Sequence, residues 1–148
     1  MEVKENMEII FICRDAFGNS LLTNIAVAME AKKNGSDVAV VFTEEALFAL
    51  AGKTFRWSPL LENRPTKIKV GKGATSMGIN MTSTIDKRWT DLSRLIVQAK
   101  EEGILLLACP IWLKLLQVEG QLPPEISIID TNEFLDELKS AKTVIGGF

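Results

Sequence analysis

The stretch Gly103-Ile104-Leu105-Leu106-Leu107-Ala108-Cys109-Pro110 decides the fold of this chain. The apolar run ends at residue 108 and is far shorter than the roughly 20 residues of a membrane helix, so it predicts a buried parallel strand. Proline is favoured at the first position of a helix, where a missing N–H costs nothing. The sequence therefore predicts a strand over 103–108, Cys109 as an N-cap, and a helix over 110–116.

Strands and helices alternate along the rest of the chain. Apolar runs predict strands over 8–13, 37–42, 127–129 and 143–145, and helical spacing predicts helices over 21–33, 91–102 and 132–140. Thr43 is a suitable N-cap for a further short helix that ends at residue 51. Strands separated by helices imply right-handed crossovers with helices on both faces of the sheet. The chain thus predicts one α/β domain over 1–148, three layers in α/β/α order, with a mainly parallel sheet of about five strands.

Composition excludes several classes of function. The chain has 148 residues, enough for one domain with a substantial core, and its net charge is −2. It contains no histidine, which removes serine–histidine and cysteine–histidine catalysis and the zinc hydrolases. Its two cysteines lie 96 positions apart and form neither a metal-ligand spacing nor a disulfide framework. We therefore predict no metal and no cofactor.

Two features predict a cytoplasmic protein without a membrane segment. No apolar stretch has the length of a membrane span. The start of the sequence, residues 1–5, is acidic, whereas a signal peptide begins with a basic region.

Cysteine at the start of a helix has a distinctive chemistry. Free backbone N–H groups and the positive end of the helix dipole stabilise a thiolate, which is the nucleophilic form of cysteine. Cys109 is therefore the candidate catalytic residue, and it is expected to be exposed at the end of its strand. The alternative is that Cys109 is a small buried hydrophobic residue. Trp112 shields the sulfur, packs against a neighbouring subunit or packs in the core. Lys114 either adds positive potential or is a surface lysine. Pro110 and Ile111 complete the start of this helix.

Ligands in such sheets bind at the carboxyl ends of the strands. Cys13, Thr43 and Cys109 each follow or end a strand and should lie on this edge. Cys13 is predicted to be structural, because it continues a strand and lacks a proline-defined helix start. The loop after it carries polar and small residues that favour an anion site, or else a simple connection capped by Asn19 or Ser20. The candidate residues of this loop are Asp15, Gly18, Asn19 and Ser20.

Residues 53–88 interrupt the alternating pattern and are interpreted as an insertion between the second and third predicted helices. The segment lacks an apparent helical period, and 66–70 and 78–82 are predicted to pair as a hairpin. Eight basic and two acidic residues give it about +6, so the remainder carries about −8. This basic surface suits an acidic partner or an anionic ligand, and a solvated loop or an oligomer contact is the alternative. Nucleic-acid binding is not favoured, because the chain is acidic and carries no RNP or KH signature.

The block 103–109 and the final strand 143–148 resemble the DsrE/DsrF/TusD family of small sulfur-relay proteins, as do the N-terminal strand, the 15–18 loop and the strand 38–42. The resemblance covers most of the chain outside 53–88. It implies a persulfide on the cysteine after the strand, which is Cys109 here, and sulfur donor and acceptor proteins as partners. It also implies trimers or hexamers. We expect a homotrimer or homohexamer whose subunits bury part of the aromatic surface of Trp57, Trp89 and Trp112. The basic insertion and the 110–112 continuation depart from the TusD pattern.

Three functions follow from these observations. The first is a sulfurtransferase-type carrier that holds a persulfide on Cys109 and passes it to a partner thiol, which needs no histidine if the thiolate already forms near neutral pH. The second is a non-catalytic assembly subunit, since some members of the resembling family lack the cysteine. The third is a module that binds a small molecule or anion at the sheet edge.

Overall fold

The sheet of this protein has five parallel strands. The computed structural model describes residues 7–86 and 88–148. Its strands are β1 (Ile9–Cys13), β2 (Val38–Phe42), β3 (Leu105–Ala108), β4 (Ser127–Ile128) and β5 (Thr143–Gly146). They follow the spatial order β4-β3-β2-β1-β5, and every neighbouring pair is parallel. The predicted parallel five-stranded α/β fold is confirmed, with each strand within two residues of its predicted ends.

Six α-helices connect the strands within residues 7–86 and 88–148. They are α1 (Gly18–Lys33), α2 (Glu44–Gly52), α3 (Arg64–Ser76), α4 (Leu92–Glu101), α5 (Pro110–Leu116) and α6 (Thr131–Ser140). Helix α1 ends at Asn34, and Gly35 follows with a φ of +93°, a conformation that glycine adopts without strain. The Asp91 carboxylate accepts a hydrogen bond from the Ser93 N–H and so fixes the start of α4.

The alternation of side chains along the strands divides the core into two faces. Phe11, Val40 and Leu106 point to one face, where α1, α2 and α4 supply the covering apolar side chains. Ile10, Val41 and Leu107 point to the other face, where α6 covers them. Neighbouring strand residues point to opposite sides, so each strand contributes to both clusters. The result is a three-layer arrangement with the sheet in the middle.

Residues 53–88 differ from their prediction. The predicted hairpin of 66–70 with 78–82 is wrong, because 64–76 form helix α3. Asn63 caps this helix by accepting the N–H of Thr66 at 2.9 Å, and Pro65 occupies its first turn. Trp57 and Met81, on either side of α3, are buried in the main core. The segment thus packs against the sheet layers and adds a helix between the second and third predicted ones.

Some sequence arguments concern residues outside the described ranges. These are the acidic start at 1–5 and the charge of Lys87 within the basic segment. Within residues 7–86 and 88–148, no helix combines the length and the apolar character needed to cross a membrane.

Candidate functional site

The carboxyl ends of the three central strands form one edge. The backbone N–H of Thr43 donates to the carbonyl of Cys13 at 3.1 Å, and the N–H of Cys109 donates to the carbonyl of Phe42 at 2.9 Å. These two bonds extend the parallel pairing by one residue beyond β2 and β3. The structure therefore places Cys13, Thr43 and Cys109 side by side along this edge, as their positions at strand ends predict.

The two cysteines lie on opposite faces of the sheet. Cys13 belongs to the cluster of Phe11 and Val40, whereas Cys109 belongs to the cluster of Ile10, Val41 and Leu107. Both thiols are free. Because the sheet separates them, the arrangement does not favour a disulfide between Cys13 and Cys109, and each thiol has its own environment.

Cys109 is the N-cap of α5 by position, with no capping hydrogen bond from its side chain, and Pro110 occupies the first helical position. Both features match the sequence prediction. The prediction that Cys109 is exposed is wrong, because the residue retains only 7% of its accessible surface. Trp112 packs against its cluster, as do Phe134 and Leu138 of α6. These contacts, on the face of the sheet that α6 covers, bury Cys109. They come from residues distant in sequence, so the local sequence around Cys109 does not predict its burial.

Cys13 is buried more deeply, with 1% of its surface exposed. Loss of hydration by burial, and second the negative charge of Asp15, raise the pKa of the Cys13 thiol from 9.0 to about 12. This thiol is protonated at neutral pH, which fits the structural role predicted for it.

The loop after β1 uses its polar groups for internal hydrogen bonds. Asp15 accepts the Phe17 N–H through Oδ1 and the Ser20 hydroxyl through Oδ2, both at 3.0 Å. Asn19 Oδ1 accepts the Ser58 N–H at 3.0 Å, and the Gly18 N–H donates to the Arg56 carbonyl at 2.7 Å. These bonds tie the loop to the 53–62 segment. They use the N–H and hydroxyl donors that an anion would need. The geometry therefore favours a simple connection between β1 and α1 over an anion site.

The capping prediction for this loop is wrong. Helix α1 begins at Gly18, and its N-cap is Phe17, whose side chain makes no capping hydrogen bond. Asn19 and Ser20 therefore lie inside the first turn. The first turn is held instead by the Asp15 carboxylate, which takes the place of a capping side chain.

The remaining predicted residues lie around the edge without converging on one point. Thr43 is the N-cap of α2, but its side chain makes no capping hydrogen bond. Lys114 is exposed in the last turn of α5, and Ile111 is half exposed in its first turn. Trp112 is half-buried at the junction of the two core clusters.

A cleft of about 1060 Å³ lies away from Cys109, and sequence reasoning missed it. Its walls come from the 53–62 segment, the start of α4 and the loop 123–125, with Leu21 and Leu50 at its base. The local signals were the tryptophans Trp57 and Trp89 within a basic segment. Only the packing of α3 and of residues 77–91 brings Trp57 and Trp89 to the same cleft.

The chain was compared with known proteins. No protein-family profile matches it, and no curated protein sequence matches it. Among solved structures, the crystal structure of the YchN protein from E. coli superimposes with a TM-score of 0.59 over 95% of this chain and 99% of that one. The fold is similar to that of YchN. The sequences are 11% identical.

The likeness to YchN supports the predicted α/β fold. At this identity it establishes the fold, and the roles of individual residues must come from the site itself. Among residues 7–86 and 88–148, no group of three histidine, cysteine, aspartate or glutamate side chains is placed to hold a metal ion.

Proposed function

We propose that this protein is a sulfur carrier that holds a persulfide on Cys109 and transfers the sulfur to a partner thiol. The observation that carries the proposal is the position of Cys109 as the N-cap of α5, directly after β3, one of the three inner strands of the sheet. N–H groups of a first helical turn have no acceptor within the helix. They and the positive end of the helix dipole favour an anionic sulfur at the N-cap.

The proposed transfer needs no oxidant or general base. The Cys109 thiolate attacks the terminal sulfur of a donor persulfide, forms a new S–S bond and releases the donor as a thiolate. The acceptor thiolate then attacks the terminal sulfur on Cys109. This forms the acceptor persulfide and restores the Cys109 thiolate. One sulfur atom moves in each step, and the number of S–S bonds stays constant.

The surface beside Cys109 suits a partner protein. Ile111 and Leu115 lie one turn apart on α5, which places them on the same side of the helix, and they are 50% and 62% exposed. Helix α2 packs against α5 and carries the exposed Phe48. We propose that a donor or acceptor approaches Cys109 over this apolar surface. Lys69 and Lys72, exposed on α3, would favour an acidic partner.

The test is the intact mass after incubation with a low-molecular-weight persulfide donor. We expect the wild-type protein to gain one sulfur atom, which a thiol reductant then removes. Cys109→Ser should abolish the gain and keep the fold, because a serine hydroxyl can cap α5. Cys13→Ala is the matched control and should gain sulfur as the wild type does. Sulfur addition to the Cys109→Ser protein would contradict the proposal.

We also propose that the protein assembles as a homotrimer or homohexamer in the cytoplasm, where thiols stay reduced. Trp57 cannot contribute to an interface, contrary to the expectation from sequence, because it is buried in its own subunit. The exposed apolar side chains near the insertion remain as candidates, namely Leu60, Met77, Ile85 and Trp89.

Light scattering at micromolar concentration tests this assembly. We expect the mass of three or six chains, because a trimer interface would cover apolar side chains that a monomer leaves in water. Leu60→Glu should shift the equilibrium toward smaller species, and Lys139→Glu on α6 is the control. A wild-type monomer at this concentration would refute the assembly.

A further inference from the structure

The cleft of about 1060 Å³ has the size and lining of a small-molecule site. It lies on the face of the sheet that α1, α2 and α4 cover, whereas Cys109 lies on the other face. Small-molecule sites are concave, mostly apolar, and contain a few polar groups that orient the ligand. The apolar lining includes Leu21, Leu50, Trp57, Trp89, Leu92 and Ile96.

One wall of the cleft can support a flat aromatic ring. Trp57 is buried and therefore fixed in place. Trp89 is 49% exposed, and the guanidinium of Arg64 lies 5.7 Å from the centre of its ring. This cation–π contact holds one side of the indole. Aromatic side chains positioned in this way form stacking platforms for nucleobases.

The charged residues of the cleft leave two cations without a carboxylate partner. Lys67 pairs with Glu62 at 2.6 Å, and Arg88 pairs with Asp86 at 2.7 Å. Lys53 and Arg56 also line the cleft, as do the carboxylates of Asp91 and Glu125. Neither of these two cations forms an ion pair with any carboxylate in the described part of the chain. Their positive charges are available to an anionic group such as a phosphate.

We propose that this cleft binds a nucleoside monophosphate. Its base stacks on Trp89, and its phosphate interacts with Lys53 and Arg56. A nucleotide combines the two groups that the cleft suits, a flat aromatic ring and an anion. Binding is independent of sulfur transfer at Cys109, since the two sites lie on opposite faces of the sheet.

Calorimetry and tryptophan fluorescence test the proposal on the full chain. The probes are AMP, GMP, CMP and UMP, with ribose 5-phosphate, inorganic phosphate and decanoate for comparison. We expect at least one mononucleotide to bind and to quench the fluorescence, and Trp89→Phe to reduce that quenching while Trp112→Phe does not. We expect Lys53→Gln with Arg56→Gln to weaken binding about tenfold or more, because both charge-assisted contacts to the phosphate are lost.

Matched variants separate recognition from folding. Lys100→Gln with Lys139→Gln removes two exposed cations elsewhere and should leave binding unchanged. Trp89→Ala should reduce the preference for a nucleotide over ribose 5-phosphate, because it removes the stacking surface, and its circular dichroism spectrum reports whether it folds. The proposal is overturned if no mononucleotide binds at millimolar concentration, or if ribose 5-phosphate, inorganic phosphate or decanoate binds as tightly. Binding that survives the Lys53→Gln and Arg56→Gln changes would overturn it too.

Discussion

At neutral pH, Cys109 is expected to react with a small disulfide reagent at least tenfold faster than Cys13. The pKa of Cys13 is raised from 9.0 to about 12, so its thiolate population is about a thousandfold below that of an unperturbed cysteine. A thiolate with a higher pKa is more nucleophilic, with a Brønsted coefficient of about 0.4–0.5. This higher nucleophilicity raises the reaction rate of the Cys13 thiolate by roughly a factor of 20–30. The net penalty for Cys13 is therefore about 30–60-fold, before its burial restricts access of the reagent.

Single-cysteine variants make this measurement direct. Cys13→Ala leaves Cys109 as the reacting thiol, and Cys109→Ser leaves Cys13. In strong denaturant both should react at similar rates, which verifies that the difference comes from the fold. A Trp112→Ala change should accelerate the reaction of Cys109, because Trp112 packs against its cluster. If Cys13 reacts first in the folded protein, the carrier mechanism is wrong and the assembly-subunit hypothesis replaces it.

Phe42→Ala should lower the free energy of unfolding by about 3–5 kcal/mol, the range for removing a large buried aromatic side chain. Phe42 is fully buried at the end of β2, and its carbonyl accepts the N–H of Cys109 at 2.9 Å. Loss of the ring leaves a cavity beneath the edge that holds Thr43 and Cys109. The effect should therefore appear in stability and in the positioning of the site.

The matched control is Phe48→Ala, which makes the same chemical change on the 59% exposed surface of α2. It should cost within about 0.5 kcal/mol, as exposed substitutions usually do. Urea unfolding followed by circular dichroism measures both, and the midpoints should differ while the slopes stay similar. Equal effects of the two changes would show that the core is not centred on β2 as the structure indicates.

The missed helix α3 shows how local signals can be outweighed. Its sequence contains Gly71 and Gly73, and its apolar residues do not repeat with a clear helical period. Asn63 followed by Pro65 was nevertheless a start signal for a helix, and the structure uses it. Gly71 and Ala74 are buried along the helix, so small residues allow its close approach to the core. An apolar pattern built from small residues is weak in the sequence, although it is effective in packing.

The sequence by itself determined the strands, their parallel arrangement and the place of Cys109 between β3 and α5. Those features depend on short-range patterns: apolar runs of strand length, helical spacing between them, and a proline at the first position of a helix. Only the tertiary structure decided that Cys109 is buried beneath Trp112 and α6, that Cys13 and Cys109 lie on opposite faces, and that Trp89, Glu125 and Arg56 line one cleft. Burial and proximity depend on which distant segments pack together, and no local pattern of residues encodes that choice.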